Sequence, residues 1–155
     1  MKAQKVNPMF QVSEIQVSYR PNYKAGDRPK ISQSRDAYQV FMAYWDKDLI
    51  SLQEQCFMLV LNRANRVIGI KEISCGGYSG TVVDPKVVFG IALKCAASSV
   101  IIAHNHPSEN LRPSDGDIAI TKKLVVAGKA LELPLLDHLI VSLDQFFSFG
   151  DEGLI

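Results

Sequence analysis

The chain is poor in cysteine: Cys56, Cys75 and Cys95 are its only three, odd in number and widely spaced. No disulfide framework and no CxxC metal knuckle can be written from them. They read as small buried hydrophobes in a reducing cytoplasm. Long apolar runs are missing as well. Stretches such as Cys56–Leu61 fall far short of the roughly 18 residues a membrane span needs. Met1–Pro8 has no apolar segment fit for a signal-peptide core. These absences predict a soluble, cytoplasmic protein with no membrane partner. Nor is there an excess of one charge, with 17 Lys and Arg against 16 Asp and Glu. That balance speaks against a polycation built to hold phosphates, so direct nucleic-acid binding is not expected. Repeats and low-complexity tracts are absent too. What is present is ordinary globular usage: 155 residues, 47% hydrophobic and 21% charged, enough for one self-sufficient core.

Charge is uneven in one place. Residues 1–30 carry Lys2, Lys5, Arg20, Lys24, Arg28 and Lys30 against Glu14 and Asp27. Such an arm is expected to be solvated rather than bound to an acidic partner. Within it, Phe10–Tyr19 alternates as a strand would, with Phe10, Val12 and Val17 among its apolar members. The breaker-rich Arg20–Pro29 follows as a loop. The expected division is an N-terminal arm, 1–30, with one strand and a polar loop, then a compact domain, 31–155.

In that domain Ser34 is placed to cap a helix with Ala37, Val40, Phe41, Tyr44 and Trp45 on one stripe. Glu54–Leu61 and Val67–Ile73 read as an antiparallel hairpin. Asp84–Pro85 supplies an N-cap and a first-position proline for a second helix, with Val88, Ile91, Ala92 and Cys95 on one face. Ser98–Ala103 is uniformly apolar and belongs in the middle of a sheet. A third helix over Ser114–Lys129 turns Ile118, Leu124 and Val125 inward. Leu135–Ser142 is another buried strand, and Gln145–Phe149 adds an edge. This irregular alternation predicts an α/β (mixed α+β) class with a mixed sheet.

One stretch carries chemistry: His104-Asn105-His106-Pro107, then Ser114-Asp115-Gly116-Asp117. On extended backbone, residues i and i+2 point the same way, so both imidazoles can reach one metal. Pro107 cannot continue a central strand, which puts the pair at a strand end where a cleft opens. Asp117, on the first turn of the next helix, can swing back as a third ligand. Two nitrogens and one oxygen leave a fourth tetrahedral position free, as catalytic zinc sites do. Bland readings compete. The histidines can be an ordinary surface pair, and Ser114-x-x-Asp117 matches a capping box. The combination favours the metal. Other metal motifs fit less well: there is no HxE with PCxxC, no HExxH, and no Asp-His directly after the HxH.

His104-x-His106-Pro107, followed by Ser114-x-x-Asp117, resembles the JAMM signature of the JAB/MPN metallopeptidase family. Ile102–Ser108, Pro113-Ser114, Leu136–Val141 and Ser148-Phe149 resemble its RadC branch, bacterial proteins usually labelled DNA repair proteins. The likeness runs from about Ser51 to the C-terminus. Residues 1–50 do not resemble the helix-hairpin-helix region that precedes this domain in full-length RadC proteins. Glu109 stands where the family often has Gly, and Lys86 where many members have Arg. The resemblance implies a JAB/MPN-like (cytidine deaminase-like) three-layer fold, a mixed central sheet flanked by helices. It implies one Zn2+ per chain on His104, His106 and Asp117. It also implies Glu54 as general base, Ser114 as oxyanion donor, and a peptide or protein substrate cleaved at an amide or isopeptide bond. Alternatives with the same fold are a non-catalytic binding module and a DNA-repair-associated factor. His138, on a strand face with Leu136 and Ile140, is expected to be a hydrogen-bonded core histidine, with a group that supports the metal ligands as the alternative and a fourth ligand disfavoured.

Overall fold

Helical spacing of apolar residues decides the first α-helix of the computed structural model, which describes residues 12–77 and 80–155. Helix α1 (Ser34–Tyr44) turns Ala37, Tyr38 and Phe41 inward. Its start differs from expectation: Gln33 is the N-cap, not Ser34. A capping box needs a side chain at N3 that reaches back. Counted from Gln33 that residue is Asp36, which does so; counted from Ser34 it is Ala37, which cannot. Trp45 is buried, whereas Tyr44, expected on the same stripe, is 57% exposed.

Strands β1 (Gln55–Leu61) and β2 (Val67–Cys75) form the expected antiparallel hairpin. Asn62 closes its loop by accepting from the Ala64 and Arg66 amides, each at 3.0 Å. Helix α2 (Pro85–Lys94) starts on Asp84, whose carboxylate accepts from the Lys86 amide. Then come β3 (Ser99–Asn105), α3 (Asp115–Ala130), β4 (Leu135–Val141) and β5 (Phe146–Ser148).

The five strands make one mixed sheet in the order β2-β1-β3-β4-β5. The β3–β4 pair is parallel and the other three are antiparallel. Alternation sorts the side chains into two cores. Phe57, Leu59, Ile101, Ala103 and Leu139 pack with α1 on one face. Cys56, Met58, Val100, Ile102 and Leu124 pack with α2 and α3 on the other. The result is three layers. Gly128 allows the end of α3 to lie against the chain running into β4: a Cβ there would meet the Leu133 carbonyl oxygen at 2.6 Å.

The arm departs from expectation. Residues 12–19 form no strand; Phe10, at the start of the expected one, lies outside the described residues. Val12, Ile15 and Val17 are exposed, and Tyr19 reaches the domain through one bond, its hydroxyl donating to the Ile68 carbonyl at 2.8 Å. Alternation is present, but no ladder partner is. The breaker-rich loop holds only a short 3-10 turn, Ala25–Asp27. The cysteines are free, yet only Cys56 is fully buried, and Cys75 is exposed rather than core. Among the described residues, no helix is long and apolar enough to cross a membrane.

Candidate metal centre

The middle strand delivers the site. His104 is the last residue of β3 whose side chain joins the α2/α3 face, following Val100 and Ile102 by alternation. His106 lies just beyond the strand, where Pro107 turns the chain. A loop brings the chain to Ser114, N-cap of α3, with Asp117 three residues on. Both readings of Ser114-x-x-Asp117 hold at once. Ser114 Oγ accepts from the Asp117 amide at 3.1 Å, and Asp117 Oδ2 accepts from the Ser114 amide at 2.7 Å. The capping box thereby fixes the carboxylate that faces the histidines. Asp117 Oδ1 is 3.2 Å from His104 Nε2, and Oδ2 is 3.3 Å from His106 Nε2. The two Nε2 atoms are 3.0 Å apart.

With one ligand atom taken from each residue, all three lie within 4.8 Å of one another, and each ring nitrogen has its nearer carboxylate oxygen at the spacing a metal's donors take around one point. Bonds of about 2.0–2.1 Å at tetrahedral angles place donor atoms about 3.3 Å apart. The lone pair of His106 Nε2 is committed to that point. Its Nδ1 lies 2.5 Å from the Asn110 carbonyl, which can only accept, so the ring proton is on Nδ1. Electrostatics ask for positive charge in the same place. The hydrogen bond to Asp117 raises the pKa of His106. Burial alone would raise the Asp117 carboxyl, but the two histidines outweigh it and hold the group well below the usual carboxylate range.

The loop that carries Asn110 is tightly wound. Glu109 donates its amide to the His106 carbonyl at 2.8 Å and has φ 62°, the left-handed region that favours glycine. That is the position where the resemblance leads one to expect Gly.

His104, His106 and Asp117 thus come together at one point. Glu54 and Ser114 line the same open cleft of about 740 Å³, along with Thr81, Val83, Arg112 and Ile120. Glu54 immediately precedes β1, held by its carbonyl accepting from the Gly76 amide at 2.8 Å. The Ser114 hydroxyl oxygen accepts in the cap, which leaves its hydrogen free to donate into the cleft.

Two supports, Asn105 and Thr121, were not anticipated from sequence, and a third, His138, was expected first as a core residue and only as the alternative in this role. Asn105, the middle residue of the HxH, points to the opposite face and is fully buried. Its Oδ1 accepts from the Gln55 amide at 2.7 Å, and its Nδ2 donates to the Ile50 and Gln53 carbonyls. It thus anchors the segment that carries Glu54. A polar residue inside a buried strand was the available signal. His138 is buried and hydrogen-bonded, as expected of a core histidine, but its partner is His104 itself, Nε2 to Nδ1 at 2.7 Å. Burial, reinforced by the neighbouring His104, pulls its pKa well below the ordinary value. Thr121 closes the line, 2.6 Å from His138 Nδ1.

A three-layer α/β domain with two histidines and an aspartate at the end of its middle strand is the class the geometry defines. The profile described as RadC-like JAB domain matches residues 31–154. A "UPF0758 protein" of Flavobacterium johnsoniae is 40% identical over 125 residues, 81% of this chain and 53% of that protein. One of Porphyromonas gingivalis is 38% identical over 87% of the chain and 59% of its own length. One of Clostridium kluyveri is 34% identical over 99% of the chain and 64% of its own length. The chain belongs to the RadC-like JAB domain family. It spans between about half and two thirds of the length of these relatives.

Proposed function

We propose that this domain is a zinc-dependent hydrolase that cleaves a peptide or isopeptide amide bond. The observation that carries this is the convergence of His104 Nε2, His106 Nε2 and an Asp117 carboxylate in a cleft that also holds Glu54 and Ser114. Two imidazoles and one carboxylate favour zinc among the common ions and leave one coordination position open. Zinc, when bound there, supplies Lewis acidity that polarises a carbonyl and makes water acidic near neutral pH.

The chain's own groups do the rest. Glu54 takes a proton from the attacking water and returns it to the leaving amine nitrogen as the C–N bond breaks. The free Ser114 hydrogen donates to the substrate carbonyl oxygen as negative charge builds there. Asp117, His104 and His106 would hold the ion and move no proton. We further propose that the partner is a peptide or protein, that the functional unit is residues 31–155 with 1–30 as an appended arm, and that the three free thiols reflect a reducing cytoplasm.

The test couples metal content to turnover. Protein purified without chelator should carry one zinc per chain. His104→Ala and His106→Ala should abolish it, and unchanged occupancy in both would sink the reading. Glu54→Gln should keep zinc and the melting temperature while slowing cleavage in a peptide and isopeptide panel by about 10²–10⁴-fold. Parental turnover with zinc still bound would place the general base elsewhere.

A further inference from the structure

Thr121 Oγ1 has a single hydrogen, and it is donated to the Asp117 backbone carbonyl at 2.6 Å. Towards His138 Nδ1, 2.6 Å away, the same oxygen can then only accept. His138 therefore carries its proton on Nδ1 and leaves Nε2 bare. His104 Nδ1 lies 2.7 Å from that bare nitrogen, so the proton between them belongs to His104. With Nδ1 protonated, His104 offers the lone pair of Nε2 to the point shared with His106 and Asp117. The line of hydrogen bonds closes on itself, because the carbonyl that starts it belongs to Asp117.

Running the line backwards shows what it excludes. If Thr121 donated to His138, His138 would donate to His104, and a hydrogen on His104 Nε2 would block the metal point. His138 cannot turn away to escape its role. Its ring is 2% exposed and stacks on Phe149 at 4.6 Å with 7° between the planes.

We propose that His138, held by Thr121, is a positioning residue that fixes His104 in the one tautomer able to ligate a metal. The inference rests on the zinc-site reading above, but its first readout does not need the metal. Ligating histidines usually donate their second N–H to a carboxylate, a carbonyl or water. Here the acceptor is another imidazole, whose own tautomer must be set by a third residue. The helix that supplies Asp117 also supplies that residue, one turn later.

The experiment uses the whole chain in four variants. His138→Phe keeps a ring to stack on Phe149 but has no acceptor, whereas His138→Gln can offer an amide oxygen. Thr121→Val removes the hydroxyl at nearly constant shape, and Thr121→Ser restores it. Nitrogen NMR of the imidazole rings in zinc-free protein should show His104 protonated on Nδ1 in the parent and as a mixture of tautomers in His138→Phe and Thr121→Val. Zinc Kd by chelator competition should weaken about 10–100-fold in those two variants and recover to within a few-fold in the Gln and Ser variants. Should His138→Phe fail to fold, the Val and Ser pair at Thr121 carries the same comparison. Parental zinc affinity in Thr121→Val, or a parent His104 protonated on Nε2, would overturn the proposal. A parent that takes up no zinc yet shows His104 protonated on Nδ1 upholds the relay and sinks the hydrolase.

Discussion

His106 is the side chain through which pH acts on the site. In metal-free protein its pKa is raised by the hydrogen bond to Asp117, so folding favours the protonated ring. That contribution is fully present below the ordinary histidine value of 6.5 and fades as pH climbs through the raised one. Zinc reverses the sign, because the ion competes with that proton for Nε2. Melting curves taken from about pH 5 to 9 with chelator and with zinc should therefore diverge as pH rises. Parallel curves would mean that metal and proton do not share His106. Single residues also show what could be read from sequence. His104, His106 and Asp117 were legible because i, i+2 spacing on extended backbone aims both rings one way and a first-turn aspartate can swing back to them, whereas spacing offered Ser114 only as a cap. Thr121 and the His104–His138 bond were not legible, since nothing local to either names a partner on a distant segment, and Asn110 was not because it acts through a backbone carbonyl that any residue carries.

Among the elements, β3 does most to assemble the site, because its last residues serve opposite faces. His104 looks into the cleft while Asn105 secures the Ile50–Gln55 segment on the α1 side. Asn105→Ala strands one amide and two carbonyls that Asn105 now satisfies. The loss should be about 1–3 kcal/mol, as for a buried polar group left without a partner. Zinc content should survive, since no donor changes, while turnover falls because Glu54 loses its anchor. Loss of zinc with turnover per bound zinc unchanged would show that Asn105 serves the metal instead. The elements themselves were largely legible: the hairpin, the Asp84–Pro85 helix start and the central place of β3 followed from alternation, capping and a uniformly apolar run. The arm was not. A strand is half of a pair, and alternation over Val12–Tyr19 cannot say whether an edge is waiting for it.

At the scale of the molecule, a bound ion should act as a tie between two pieces of chain that the fold otherwise joins only through their packing. Its donors come from the end of β3 and the start of α3. Zinc at about a thousandfold excess over its Kd should stabilise the native state by about 4 kcal/mol. For a domain of this size that is about 8–16 °C in Tm, lost on adding chelator. A chelator-insensitive Tm in protein shown to have carried zinc would mean that the unfolded chain binds the ion equally well.

The close approach at Gly128 makes α3 a lever. Its pivot is where the helix touches the Leu133 carbonyl, with no room for a methyl group. Its working tip is Asp117, three turns and about 16 Å away along the axis. A rod of fixed length converts a shove at one end into a tilt at the other. Gly128→Ala, far from any donor atom, should therefore move the Asp117 carboxylate off the His104–His106 pair and weaken zinc binding out of proportion to its effect on Tm. A variant with lowered Tm and parental zinc Kd would show instead that the helix bends between pivot and tip. On the proposed reading, the aim of the Asp117 carboxylate would then be set in part at the far end of the helix, by the absence of a side chain.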